Sequence, residues 1–506
     1  MTVPMAAPAD EWRRLSPRML LVHPIHDLVR QLPLLIGSLV LGASTGNAMY
    51  AVAVTALLVA FGVARWFTTA YRIDGEQIQR REGVLQRKVL SLPRNRIRSV
   101  STDARLLHRL LGLTVVRLGT GQEAKGSAEF ALDAVRSEEV AGLRAVLLAE
   151  APSIVAEQRS PERVLARWQP SWLRYSPLSF TGLAMIVAAV GLVYQTGVFA
   201  KLENSELARQ GLDAAERLGA LASVVLTSLA VLLFSVLLSV LRSLVTFGNL
   251  VLSRRDDEGG QLPGGVLHLQ HGLLRVREYT YDTARLRGGT IREPLLVRAF
   301  GGARLDAVMT GVAGAGEASL LLPPCPRATA ETVLAEIIGR VGEVVAGGQL
   351  RGHGPAAVRR RWTRALALPV VLLVAVVGGS FFVSVAPWVW VMGGVLVICG
   401  GLLAHDRARA LGHRAGDGWL VARSGSLERR RDCIAAGGII GWTVRQTFFQ
   451  RRAGVATLVA ATAAGVKGYR VLDVPADLAW SVAAVTTPWV ADQEWARGRQ
   501  LGGCQV

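Results

Sequence analysis

The sequence predicts a membrane protein of mixed class: three α-helical hairpins, six transmembrane helices in all, each hairpin followed by a β-rich domain that closes with an amphipathic helix. Three observations lead there. Of the 506 residues 51% are hydrophobic and only 19% charged, which is high for a soluble chain. The apolar residues gather in paired runs of membrane length. A strand-forming basic stretch, Ile78 to Leu118, recurs in degraded form after each later pair.

The recurrence is metrical. With Gly83 as zero, the first copy has Leu85 at plus two, Ile97 at plus fourteen, Arg109 at plus twenty-six and Gly112 at plus twenty-nine. From Gly272 the same offsets fall on Leu274, Leu286, Arg298 and Gly301, and from Gly425 on Leu427, Ile439, Arg451 and Gly454. Agreement of this kind marks an internally repeated unit and sets the domain count at three.

The first apolar run carries no charge between Gln31 and Ala64 and is interrupted by "GASTGN", so residues 28–67 fit a tight hairpin of two short spans. The second pair occupies 178–241 around a polar connector, and the third 365–404 with almost no connector. Uninterrupted apolar runs satisfy their own backbone only as helices. Of the 57 Lys and Arg residues, the hairpin turns hold Lys201, Arg209 and Arg217. This asymmetry places the N-terminus and all three domains in the cytoplasm of a multi-pass inner-membrane protein.

Within the first copy, Val84 to Leu92 and Leu113 to Leu118 interleave apolar with polar residues, as antiparallel strands with one wet face do. The stretches 133–150, 328–345 and 475–492 then carry apolar stripes at helical spacing. The layout is an N-terminal segment 1–27, hairpin 28–67, domain 68–152, linker 153–177, hairpin 178–241, domain 242–346, linker 347–364, hairpin 365–404, domain 405–493 and tail 494–506. Both linkers mix Arg with Trp just ahead of a span, as residues anchored among headgroups do.

No chemistry motif stands out. Cys325, Cys399, Cys433 and Cys504 are scattered, and neither "HPIH" (His23, His26) nor "HLQH" (His268, His271) has further ligands at metal-site spacing. The acidic Asp256, Asp257 and Glu258 lack a calcium-loop pattern, and "GTGQEAKGS" at 119–127 lacks the ending of a phosphate loop. No metal, no cofactor and no enzymatic activity are expected. The apolar cores of the spans hold no ionisable residue, which argues against a transport pathway. The net charge of +19 is carried almost wholly by Arg; it suits any polyanion, and nucleic acid is not the expected partner.

A hairpin followed by "GxxIxxRxGVLxRxxxSLPxxRIxSVxxxxxLLxRLLGL" resembles the bacterial PH domain membrane proteins of the YdbS/YdbT type, and the three-copy layout resembles the YdbT form. The residues that carry the resemblance are Gly83, Val84, Leu85, Pro93, Arg96, Ile97, Val100, Leu107, Arg109, Leu111 and Gly112. The later copies depart from it: Pro93 gives way to Asp282 and Ala435, and Val100 to Gly289 and Trp442. The resemblance implies a PH-like fold in each domain, a bent antiparallel barrel plugged by its C-terminal helix. It also implies a binding or assembly role in the envelope, partnership with a smaller two-span PH domain membrane protein, and a link to resistance against membrane-active peptides.

Arg80, Arg81, Arg87, Lys88, Arg94, Arg96 and Arg98 form a basic cluster close to a membrane exit. Three readings stay open for it: an anionic-lipid surface, at about 1 kcal/mol per charge, a solvated face, or a site for an acidic partner protein. Arg109, Arg298 and Arg451 recur three residues before a Gly, which fits a structural turn in which the guanidinium serves nearby carbonyls. The expected function is a non-enzymatic scaffold or binding module at the inner leaflet, with a subunit of a transport or export complex as the alternative.

Overall fold

The computed structural model describes residues 12–14, 67–74, 76–83, 87–93, 99–104, 106–119, 130–140, 162–179, 184–188, 219–256, 265–310 and 319–491, together with Leu143 and Gly191. The chain divides into two compact units, residues 1–284 and 285–506. The division falls inside the second repeat, after its third strand.

In the first unit, β1 (Arg13–Arg14), β2 (Ala70–Ile73), β3 (Gln77–Glu82) and β4 (Lys88–Pro93) form one antiparallel sheet. The first repeat continues with β5 (Ser99–Ala104), helix α1 (Leu106–Leu110), β6 (Leu113–Gly119) and β7 (Phe130–Arg136). The next elements are β8 (Arg163–Arg167), helix α2 (Ala220–Phe247), and then β9 (Val251–Asp256), β10 (Gly265–His271) and β11 (Val276–Asp282) of the second repeat. These strands make one seven-stranded sheet in the order β7-β6-β5-β11-β10-β9-β8, so two repeats share it. Tyr71, Ile78 and Leu92 from the first sheet pack against Val100, Leu113, Val116, Leu118, Phe130, Leu132 and Val135 from the second, giving the first repeat a two-sheet core.

The second unit repeats the arrangement. β12 (Leu286–Pro294), helix α3 (Leu295–Ala299), β13 (Gly302–Met309) and β14 (Leu320–Pro326) complete the second repeat. Helices α4 (Arg327–Ile338), α5 (Gly342–Ala346), α6 (Gly354–Gly379) and α7 (Pro387–Ala410) come next. β15 (Gly412–Gly416), β16 (Trp419–Ser424) and β17 (Glu428–Ala435) join the strands of the preceding repeat in a six-stranded sheet, β14-β13-β12-β17-β16-β15. β18 (Ile439–Arg445), helix α8 (Phe448–Arg452), β19 (Val455–Thr462) and β20 (Gly468–Pro475) form a three-stranded sheet, closed by α9 (Ala479–Thr486) and α10 (Pro488–Ala491).

The barrels expected for each repeat are therefore not closed. Among the described residues, the third and fourth strands of a repeat do not pair with each other; β5 and β12 instead bond to the third strand of the following repeat. The edge that a barrel would seal is used instead to join repeats.

The metrical repeat survives in three dimensions. Ile78 faces Leu92, Leu267 faces Tyr281 and Leu420 faces Ile434, and all six are buried. Each pair occupies offsets minus five and plus nine, so hydrophobic alternation fixes one register three times. Gly83, Gly272 and Gly425 have φ of 124°, 109° and 104°, beyond the range that side chains tolerate. Gly112, Gly301 and Gly454 have φ of 67°, 73° and 66°, the left-handed helical well, and end the short helices α1, α3 and α8.

Three described helices have the length and apolarity to cross a membrane: Leu221–Phe247, Gly354–Gly379 and Pro387–Ala410. The expected hairpin at 28–67 and most of the span at 178–199 lie outside the described residues. The sixth-strand ends differ from expectation, because the helix placed at 133–150 begins only after β7, whose Val135 pairs with Thr114 and points into the core. The helix placed at 328–345 breaks at Gly339, φ 89°, into α4 and α5. The first helix of the expected third hairpin, α6, starts eleven residues earlier than the apolar run, because the Arg-rich linker is itself helical.

A strand from before each hairpin joins a strand from after it. Arg13 pairs with Tyr71, Arg163 with Arg254, and Arg351 bridges to His413. The chain before and after each of the three apolar stretches thus meets in one β-ladder or bridge.

A candidate membrane-facing rim

In the second and third repeats the turn between the second and third strands lies beside the end of a helix of membrane length. In the first unit, the backbone N–H of Gly272 donates to Gly248 O at 2.8 Å and that of Leu273 to Val245 O at 3.0 Å, while the His271 ring meets Thr246 O at 2.7 Å. A Cβ at Gly272 would lie 2.0 Å from Arg275 O, which is why the offset-zero residue has none. In the second unit Asp406, in the last turns of α7, accepts from Arg298 of α3 at 2.9 Å and from Arg429 of β17 at 2.8 Å. Both α3 and the neighbouring turn are held at the helix exit.

The same corner carries apolar side chains that face outward. Leu274 and Leu427, both at offset plus two, are 51% and 60% exposed. Leu107 and Leu110 of α1, Leu295 and Phe300 around α3, and Phe448 and Phe449 of α8 are exposed as well. The Leu295 N–H donates to Leu427 O at 2.7 Å, so the short helix of one repeat and the turn of the next form one continuous edge. Large apolar residues gathered at the level where spans begin suit an interface with lipid better than one with water.

The recurring Arg residues work in this corner. Arg109 Nη1 donates to Leu273 O at 3.1 Å, in the turn after the next apolar helix, and Arg298 bonds Asp406, in the last turns of such a helix. Their carbonyls accept the N–H of Gly112, Gly301 and Gly454 at 3.1, 2.9 and 3.2 Å, and the carbonyls of those glycines accept Ser137, Arg327 and Ala476, each at 3.0 Å. The backbone turn at the Gly recurs three times, while the guanidinium reaches a carbonyl from Arg109 and a carboxylate from Arg298.

The basic cluster divides. Arg80 Nη1 donates to Ala131 O at 2.5 Å and the guanidinium lies 5.6 Å from the Phe130 ring. Arg81 lies over Trp12 at 4.9 Å. Those two hold the first repeat together. Arg87 and Lys88 are exposed at the start of β4, four and five residues past Gly83. Arg94, Arg96 and Arg98 lie outside the described residues.

Further charge sits at the junctions between repeats. Asp103 of β5 binds Arg275 in a two-point ion pair, and Arg117 lies 3.4 Å away. Burial opposes its charge, yet these guanidiniums outweigh it and hold the carboxyl below the ordinary range. At the second junction Arg292 lies 2.6 Å and Arg304 2.9 Å from Asp306. Thr290 donates to Asp432 at 2.8 Å. Burial pushes Asp306 and Asp432 up despite those cations. A cleft of about 380 Å³ opens there, lined among others by Arg292, Asp306, Arg430, Asp432 and Tyr469. Its charged groups largely serve one another, as in a structural polar junction.

Two further contacts seat α6 on the third repeat, and neither has a motif. Arg360 and Arg361 lie 3.4 and 2.6 Å from Asp473, a buried residue at φ 56°. His353 bonds Leu472 O at 2.7 Å and the His413 ring at 2.9 Å. Burial, with His353 and Arg351 nearby, pushes His413 down to about 4, and burial also lowers His353. The histidines singled out by spacing, His268 and His271, instead face Thr280 and the end of α2, and the described residues contain no group of metal-ligating side chains.

No curated protein and no solved structure matches the chain. Two stretches, residues 28–151 and 366–484, each running from an apolar segment through a six-strand repeat, match the Bacterial PH domain family.

Proposed function

We propose that the chain is a non-enzymatic membrane scaffold whose PH-type repeats lie against the lipid headgroups of the leaflet on their own side. The positive-inside asymmetry makes that the cytoplasmic face of the inner membrane. The carrying observation is the rim: in both units the outward-facing Leu and Phe side chains stand at the exit of a membrane helix. Arg87 and Lys88 add positive charge in the first repeat, where anionic headgroups contribute about 1 kcal/mol per basic residue. A role in envelope stress or peptide resistance, and a smaller two-span partner, rest on the family resemblance alone.

Depth measurement tests this on the full chain in vesicles. An environment-sensitive probe on Phe449→Cys or Leu274→Cys is expected to be quenched by nitroxide lipids. The same probe on Asp417→Cys, at the far end of β16, is expected to remain in water. Equal quenching at the two ends of the sheet, or none at the rim, overturns the proposal. Replacing anionic by neutral lipid is expected to reduce quenching at a probe on Leu110→Cys, and Arg87→Ala with Lys88→Ala to remove that dependence.

A further inference from the structure

The two junctions between repeats are the same junction. β5 pairs with β11 and β12 with β17, and in both the fourth strand of one repeat lies antiparallel to the third strand of the next. Offsets of partners always sum to twenty-five: Thr102 at plus nineteen faces Glu278 at plus six, and Gly289 at plus seventeen faces Cys433 at plus eight. A register kept across two repeats of divergent sequence is a built interface.

The series leaves two ends. β18 is the fourth strand of the last repeat and β4 the third strand of the first; each is the edge of its sheet among the described residues. The side chains at offset plus eight show what the missing neighbour does. Thr280 and Cys433 are 8% and 0% exposed within formed junctions, whereas Ser91 on β4 is exposed, as is Val89 beside it at 57%. Unpaired strand edges with apolar side chains are templates for another strand.

We propose that β18 of one copy pairs antiparallel with β4 of a second copy of this chain, in the internal register, which sets Val444 opposite Val89 and Trp442 opposite Ser91. Arg445 then faces Lys88. The formed second junction already places Arg292 opposite Arg430, so a pair of cations at this register position is compatible with a formed ladder. Copies held in one membrane are confined to a plane, which raises their effective concentration and favours pairing. The contact is heterologous and can propagate head to tail. It goes beyond lipid apposition and does not depend on it.

The test uses full-length chains in native-like vesicles, with Cys399→Ser and Cys504→Ser as background. Val89→Cys in one tagged chain and Val444→Cys in another are mixed and oxidised. A disulfide-linked pair of chains is expected only in the mixture, with a yield on the order of tenfold over Val89→Cys mixed with Thr443→Cys, whose side chain points to the opposite face. Equal yields in the two mixtures, linkage of either variant to itself, or no linked pair with thermal unfolding of both variants unchanged, overturns the proposal. The probe depths at Phe449 and Leu274 stay as they are in every one of these outcomes, so the two proposals fail separately.

Discussion

Gly425 and Gly454 hold equivalent rank in the sequence repeat, yet the structure predicts unequal costs for replacing them. At Gly454 the φ of 66° lies in the left-handed well and a Cβ would meet open space. Alanine there costs the left-handed strain of about 1–2 kcal/mol, less a few tenths to 1 kcal/mol from a stiffer unfolded chain, or about 1 kcal/mol net. At Gly425 the φ of 104° lies outside that well, and a Cβ would stand 2.1 Å from Glu428 O, a backbone atom of β17. Alanine must strain the turn by about 1–3 kcal/mol and displace a carbonyl at the end of a ladder, for about 1 kcal/mol more. The expected total is about 2–4 kcal/mol, worth on the order of 10 °C in a unit of this size. Thermal unfolding of the full chain in nanodiscs, followed by tryptophan fluorescence, measures the difference. Gly454→Asn should lie within about 1 kcal/mol of the parent, because Asn tolerates that well. Equal losses for Gly425→Ala and Gly454→Ala would refute the reasoning, since strain alone would then account for both.

Two other expectations follow from particular contacts. His353 and His413 are neutral partners whose charged forms the fold disfavours, so folded values sit below the unfolded value near 6.5. The unfolded chain binds protons first as pH falls, hence stability is full above about 6.5 and is lost toward about 4, by up to about 3 kcal/mol for His413. Thermal unfolding against pH should flatten over that window in His413→Asn; an unchanged slope would count against the pair. Residues 68–152, expressed alone, lack β11 and leave β5 as a bare edge, so they should give no cooperative unfolding transition. A sharp transition in that fragment would show the shared sheet to be dispensable.

The apolar runs, the three-fold offset and the alternation of the strands were legible in the chain, because membrane burial and sheet burial each impose a period that residues such as Ile78, Leu267 and Leu420 must obey. The glycines at offsets zero and plus twenty-nine were legible too, since backbone of that shape excludes a side chain. The basic cluster was legible only as a sum of charge: Arg80 and Arg81 turn out to brace Ala131, Phe130 and Trp12, and Arg87 and Lys88 stay exposed. The rim could have been read from Leu295 and Phe448 at plus twenty-three and Leu274 and Leu427 at plus two, but nothing local says those residues face outward.

Local sequence determined the strands, their hairpin registers and the helices, because those depend on neighbours within a few tens of residues. Tertiary structure alone decided which edge meets which. The third strand of a repeat offers the same N–H and C=O row to its own fourth strand as to that of the preceding repeat, and backbone groups carry no label. The fold makes that choice: β5 bonds to β11 and β12 to β17, so the bonds that would close a barrel join neighbouring repeats instead.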